Sequence, residues 1–183
     1  ILTLLIVSLP DCLAQGNVVI NEFESDPPGN DSDVGNEWVE LYNPTTSSID
    51  ISNWKIIPTS NEENTIIISE GVIIRANGYY IVSYSTQFLD NVAETIILQD
   101  ATGNEIDRTP SKDDTNDDEN AWARHPNGID TDIDDDWIYQ QSTKSENNNG
   151  EETYGQPPQP SPTRTPTPPP SPTEPTEQTP TQS

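Results

Sequence analysis

The side chains with the clearest chemical capacity in this sequence are carboxylates that recur at alternate positions. Residues 130–136 read Asp-Thr-Asp-Ile-Asp-Asp-Asp, which spaces four acids two positions apart: Asp130, Asp132, Asp134 and Asp136. Calcium takes about six to eight oxygen ligands, and repulsion among such acids favours a divalent cation. These four residues are therefore candidate calcium ligands, with a solvated acidic loop as the alternative.

This stretch departs from the EF-hand calcium loop, which requires glycine at its sixth position and glutamate at its twelfth. Counted from Asp130, those positions hold Asp135 and Gln141. Two more acidic segments, residues 113–119 and 25–33, are candidate cation or partner loops, and we expect the first of them to approach residues 130–136. The turn-forming residues in 25–33 favour a simple connection between strands.

Candidate catalytic groups are few. His125 is the only histidine, and with Arg124 beside it forms the default acid–base candidate. Glu22 and Glu40 fall on neighbouring predicted strands and would pair as in a glycosidase. A chance pair is expected among 32 acids, and an ion pair or backbone bond between strands is favoured for Arg124. One histidine, with Cys12 as the only cysteine, excludes a zinc cluster.

Residues 1–14 have the pattern of a truncated signal peptide. An apolar run over residues 1–9 is followed by Cys12-Leu13-Ala14, and cleavage after Ala14 suits signal peptidase. Lipidation at Cys12 is the alternative, although Pro10-Asp11 fits a lipobox poorly. The run is shorter than the roughly 20 residues of a membrane-spanning helix. We therefore expect a secreted or cell-surface protein without a membrane span in this sequence and without disulfides.

Charge and proline are unevenly distributed. The formal net charge is −25, from 32 acidic against 7 basic residues. Direct nucleic-acid binding is not expected, because it depends chiefly on Lys and Arg that neutralise phosphates. Eleven of the 18 prolines lie between Pro157 and Pro180, among Thr, Ser and Gln. That composition predicts a disordered, extended linker over residues 151–183.

Residues 15–150 have an all-β pattern, with short runs of Ile, Val, Tyr and Trp between Gly, Asn, Asp and Pro clusters. Strands are predicted over residues 18–23, 38–42, 54–57, 65–68, 79–84, 95–98 and 105–107, and near Trp122 and Trp137. A hairpin is expected at residues 99–104. Val39 and Leu41 alternate with Trp38, Glu40 and Tyr42, which predicts a sheet with one buried face.

Strands of this number and spacing predict an immunoglobulin-like β-sandwich, followed by the disordered Pro/Thr-rich tail. No cysteine pair is available to join the two sheets. Large aromatic side chains are therefore the expected structural core. They are Trp38, Trp54, Trp122 and Trp137.

Several segments, in order along the chain, resemble the lamin tail domain family of exported prokaryotic proteins. They are VINEF at 19–23, EWVELYN at 37–43, IDISNW at 49–54, ANGYY at 76–80, LQD to ID at 98–107 and AWARHPNG at 121–128. The resemblance covers residues 17–147. It implies an immunoglobulin-like sandwich without common catalytic residues, found beside secreted hydrolases and nucleases or on tethers at cell surfaces. The chain is therefore expected not to be an enzyme.

Three functions are compatible with these features. The favoured one is a non-catalytic extracellular binding or display module, with calcium ordering its acidic loops. The others are a structural spacer or accessory domain of a larger secreted protein, and a metal-dependent hydrolase. The expected partner is an extracellular protein or a cell-surface polymer, and the expected state is a monomer. Asn30, in Asn-Asp-Ser, is a candidate N-glycosylation site.

Overall fold

The computed structural model describes residues 18–33 and 35–149, which form an all-β structure of eleven strands. The strands are β1 (Val19–Glu24), β2 (Trp38–Tyr42), β3 (Ile49–Asp50), β4 (Lys55–Pro58), β5 (Ile66–Ile67), β6 (Ile73–Ile74), β7 (Tyr79–Ser83), β8 (Ile96–Gln99), β9 (Glu105–Arg108), β10 (Asn120–Arg124) and β11 (Trp137–Gln141). Short 3₁₀ turns occupy Glu62–Asn64 and Asp134–Asp136. None of the described residues forms a helix able to cross a membrane.

All strand pairings are antiparallel, and they form three sheets. Five strands lie in the order β11-β10-β1-β2-β7, four in the order β5-β4-β8-β9, and β3 pairs with β6. β1 is central in the five-stranded sheet, where Phe23 pairs with Val39 on one side and with Trp122 on the other. The all-β, immunoglobulin-like fold predicted from the sequence is confirmed.

The core consists mainly of aliphatic side chains from the two larger sheets. Val39 on β2, Ile56 on β4 and Leu98 on β8 have no exposed surface and belong to one hydrophobic cluster. Full burial of such a side chain stabilises the fold by about 1.5–3 kcal/mol. Trp137 joins the cluster and meets Phe23 in an edge-to-face contact, with 5.6 Å between ring centroids.

The other three tryptophans lie outside the centre of this core. Trp38 is buried on the opposite face of β2 from Val39, and the Nζ of Lys144 lies 4.7 Å from the centroid of its ring. Trp54 and Trp122 are half-buried and pack against the cluster. Aliphatic residues, rather than the four tryptophans, therefore supply most of the buried core.

The prediction that the sheet has one buried face is wrong for β1 and β2. All six residues of β1 are buried, and only the last residue of β2 is partly exposed. The outer face is covered by residues 142–149, here termed the C-terminal strap, which contact Glu22 and Glu40. An alternating strand pattern does not predict this cover, because the strap has no hydrophobic periodicity.

The other predicted strands lie within about two residues of those observed. Two further strands, β3 and β6, were not predicted; each has only two residues. In the expected hairpin between β8 and β9, Asp100 N donates to the carbonyl oxygen of Asn104 at 2.8 Å. Gly103 there has a φ of 94°, which glycine adopts without steric cost. The predicted leader and linker lie outside the described residues.

Candidate functional site

Arg124, the last residue of β10, lies between the two larger sheets with 1% of its surface exposed. Its Nη2 donates to both carboxylate oxygens of Asp107 on β9, at 2.9 and 3.0 Å. Its Nε donates to the carbonyl oxygen of Ile20 on β1 at 2.8 Å. The guanidinium carbon also lies 4.8 Å from the centroid of the Trp137 ring. One side chain thus connects strands of both sheets.

The electrostatics of this ion pair are set by burial. Burial raises the pKa of Asp107 to about 6, and the guanidinium of Arg124 lowers it from a still higher value. Two hydrogen bonds from Arg124 and one from the backbone N–H of Ile20, at 2.7 Å, favour the ionised form. The pair is therefore a buried structural contact whose partners depend on each other.

The four alternating acids of residues 130–136 do not all meet at one point, although Asp130 and Asp136 both accept hydrogen bonds from Arg124 Nη1, at 2.8 and 3.5 Å. Three of them have partners inside the fold: Asp130 with Arg124 (2.8 Å), Asp134 with Lys112 (2.7 Å) and Asp136 with Thr131 (2.7 Å). The side chain of Asp132 is exposed. Within residues 18–33 and 35–149, no three His, Cys, Asp or Glu side chains are arranged to hold a metal ion.

A pocket of about 160 Å³ lies between residues 130–134 and the end of β9. Asp132, Ile133 and Asp134 line one side, and Arg108 and Pro110 are among the residues that line the other. Ile133 is 53% exposed, so an aliphatic side chain is presented to solvent beside carboxylates. Arg124, Asp130 and Trp137 also line the pocket, so its wall combines both signs of charge with apolar surface.

Glu22 and Glu40 lie opposite each other on β1 and β2, and neither has exposed surface. Glu22 accepts a hydrogen bond from the backbone N–H of Thr143 at 2.7 Å, and Glu40 accepts one from that of Ser145 at 2.6 Å. Burial raises the pKa of Glu40 to about 8, and burial also raises that of Glu22. Both carboxyls hold the C-terminal strap, and a substrate cannot reach them in this conformation.

Asn148 fixes the far end of the strap. It is 2% exposed, and its Nδ2 donates to the carbonyl oxygens of Asn21 at 2.9 Å and Arg124 at 3.0 Å. Its Oδ1 accepts a hydrogen bond from the hydroxyl of Thr143 at 3.0 Å. The strap is thus bonded to β1 and β10. Sequence reasoning missed Asn148, because nothing separates it from its neighbours Asn147 and Asn149.

The remaining candidate residues are on the surface. His125 is exposed, and no side chain in the described part of the chain hydrogen-bonds its ring, whereas Arg124 beside it is buried. A general base needs an orienting partner, so this geometry does not make the two residues a catalytic pair. Asn30 is exposed, and its use for glycosylation stays a prediction.

A second group of acids forms where residues 25–33 meet residues 113–118. Asp26 accepts hydrogen bonds from Asn91 Nδ2 at 2.6 Å and from the backbone N–H of Asp117 at 2.8 Å. The buried carboxyl groups of Glu24 and Asp114 lie beside each other. The segment expected to approach residues 130–136 packs against residues 25–33, and Lys112, directly before it, reaches Asp134.

Two side-chain oxygens in this group are buried and have no hydrogen-bond partner: Asp114 Oδ2 and Asn91 Oδ1. The other Asp114 oxygen accepts a hydrogen bond from the hydroxyl of Tyr139 at 2.8 Å. Burial, and then the charge of Asp114, raise the pKa of Glu24 to about 9. Among the described residues, no Lys or Arg forms a salt bridge with Glu24 or Asp114.

Fold and site together define a class: an immunoglobulin-like β-sandwich in which Arg124, Glu22 and Glu40 make structural contacts. The chain belongs to the lamin tail domain family, whose model, Lamin Tail Domain, matches residues 13–113, more than half of the sequence. The resemblance is thereby confirmed, although the match ends before β10. The family is one of non-enzymatic domains. No curated protein matches the chain.

Proposed function

We propose that this chain is a non-catalytic module of an exported protein, displayed outside the cell on the proline-rich segment that follows the domain. Membership of a family of non-enzymatic immunoglobulin-like domains supports the non-catalytic part. The apolar run and small residues of 1–14 support export. The Pro, Thr and Ser composition of 151–183 suits a spacer of about 3.1 Å per residue.

We further propose that the module binds a partner through residues 130–134, and the pocket beside them is the observation that carries this proposal. The exposed carboxylate of Asp132, and the net charge of −25, attract a positively charged partner. Exposed Ile133 adds an apolar contact at the same place. The partner is an extracellular protein or cell-surface polymer with cationic groups next to apolar surface.

Binding is tested with the purified, fluorescently labelled chain and intact cells of the producing organism. Ile133→Ser is expected to weaken binding about tenfold, which corresponds to about 1.4 kcal/mol. Val92→Ser is the matched control, because Val92 is 55% exposed in a different loop. Equal binding by the native chain and the Ile133→Ser variant would show that residues 130–134 are not part of the interface. No binding by the native chain would favour the spacer function.

Display is tested separately, by antibody labelling of cells that produce the protein. Labelling of intact cells is expected, and replacement of Leu4, Leu5 and Ile6 by Asp in the apolar run should abolish it, because a charged run no longer resembles a signal peptide. Protein detectable only after lysis of native cells would contradict the proposal. The metal-dependent hydrolase alternative gains no support from the described residues, since no three His, Cys, Asp or Glu side chains among them are arranged to hold a metal ion.

A further inference from the structure

β7 forms one edge of the five-stranded sheet, and several of its main-chain groups have no partner there. It pairs with β2 along its whole length, without a bulge. Just before the strand, the carbonyl oxygen of Gly78 accepts a hydrogen bond from Asn43 N at 2.9 Å. Bonded residues alternate along an antiparallel strand, so the N–H and C=O groups of Tyr79, Ile81 and Ser83 point away from β2. No described residue bonds to these groups.

The same edge lies in the longest run of the sequence without a charged residue. Residues 76–89 contain no Asp, Glu, Lys or Arg, in a chain with a net charge of −25. Exposed edge strands usually carry lysine, proline or a bulge, which block the addition of another strand, and β7 has none of these. At the other edges, β9 carries Glu105, Asp107 and Arg108, β11 directly follows three aspartates, and β5 has only two residues.

We propose that two copies of this chain pair through β7, antiparallel and about a twofold axis at Ile81. In this register Ile81 lies opposite Ile81 of the second copy, and Tyr79 lies opposite Ser83. Every outward N–H and C=O group of these three residues then has a hydrogen-bond partner. The two five-stranded sheets continue as one, and the contact is self-complementary, as a twofold dimer requires.

The distribution of charge favours a second copy as the occupant of this edge. Two chains of net charge −25 repel each other, so a contact between them must not place acids opposite acids. The register about Ile81 meets this condition, because between residues 75 and 87 it opposes uncharged residues, apart from Arg75 opposite Gln87. A cationic partner, by contrast, finds no carboxylate on this strand.

The proposed dimer differs from the monomer expected from the sequence. It does not use residues 130–134, so this proposal and the proposed binding function can fail separately. Tyr80 and Ile81 are partly exposed on the free edge, and the second strand would cover them.

Sedimentation equilibrium of the purified full chain, from micromolar to millimolar concentration, measures the association. We expect a monomer–dimer equilibrium that added salt strengthens, because salt screens the repulsion between the acidic copies. A contact held by opposite charges would weaken with salt instead, so weakening by salt would contradict pairing through β7.

Ile81→Pro tests the edge directly. Proline removes the central N–H, which points out of the sheet, and its ring blocks an incoming strand, so association should weaken at least about tenfold. Ile81→Thr is the matched control, because it keeps the N–H and a β-branched side chain and should still dimerise. Ile81→Lys gives the same test if Ile81→Pro does not fold, since it places two like charges opposite each other.

Disulfide formation reports the register of the pairing. Cys12 is the only cysteine, so Cys12→Ser gives a background without thiols. In that background Ile81→Cys should form a disulfide dimer under mild oxidation, because opposed Cα atoms of a hydrogen-bonded pair lie about 5.5 Å apart. Ser83→Cys should not, because its two copies lie about 14 Å apart along the strands.

Three further results would overturn the dimer. They are a native chain that stays monomeric at millimolar concentration in high salt, association that survives both Ile81→Pro and Ile81→Lys, and equal disulfide formation by Ile81→Cys and Ser83→Cys. The second of these would assign the contact to another surface of the chain.

Discussion

Arg124 illustrates how a single residue holds this domain together. Its planar guanidinium reaches Asp107 on one sheet and the backbone of Ile20 on the other while stacking on Trp137. A lysine ammonium lacks this fork geometry, so it could not contact Asp107, Ile20 and Trp137 at the same time. Because Arg124 and Asp107 are almost completely buried, loss of Arg124 leaves the charge of Asp107 uncompensated between the sheets.

Arg124→Met is therefore expected to lower the free energy of unfolding by about 3–5 kcal/mol, the usual cost of an unpaired buried charge. Arg108→Met is the control, since Arg108 forms a largely exposed pair with Glu105 at 2.6 Å and should cost less than about 1 kcal/mol. Urea unfolding of both variants measures the difference. Similar losses in the two variants would show that Arg124 adds no more than a surface ion pair.

The C-terminal strap shows what strand patterns leave out. Sequence alternation located nine of the eleven strands, because their side chains face a core with a period of two. The strap has no such period, and its contacts join residues far apart in the chain, as in the Asn148–Asn21 bond across 127 positions. The partners of Glu22 and Glu40 could not be inferred for the same reason.

Removal of the Asn148 side chain should destabilise the whole domain rather than only release its end. Asn148→Ala leaves carbonyl oxygens of Asn21 and Arg124 buried without their donor, at a cost of about 2–4 kcal/mol. Glu146→Ala, an exposed change in the same strap, should cost less than about 0.5 kcal/mol. Equal stability of the two variants in chemical denaturation would show that the strap does not contribute to folding.

At the scale of the whole molecule, the buried carboxyls make stability depend on pH. Burial is the main cause that raises the pKa of Glu37 to about 7, of Glu40 to about 8 and of Glu24 to about 9, from an ordinary 4.5. Between pH 4.5 and these values the folded state binds more protons than the unfolded state. The free energy of unfolding must therefore fall as pH rises through this range.

We expect the free energy of unfolding, measured by urea titration, to be at least about 2 kcal/mol lower at pH 9 than at pH 5. A stability maximum near pH 8 would contradict this expectation and would mean that these carboxyls are already ionised at neutral pH.

The fold of the domain was easier to predict from the sequence than the contacts of its buried polar side chains. The family and the sandwich followed from short local motifs such as EWVELYN, which need only neighbouring residues to be recognised. The calcium pattern at 130–136 was also local, but three of its four acids have partners within the fold. Asn91 carries no sequence signal, because its importance arises only when residues 25–33 and 113–118 meet around it.

The central place of β1 has a consequence for how the chain reaches its native state. Phe23 pairs with Val39, only 16 positions away, but also with Trp122, 99 positions later. A nascent chain leaving the ribosome can form the first pairing early, whereas the second must wait until nearly the whole domain has been synthesised. Pairings between residues so far apart in sequence slow folding. We therefore expect the emerging polypeptide to stay unfolded for most of its synthesis.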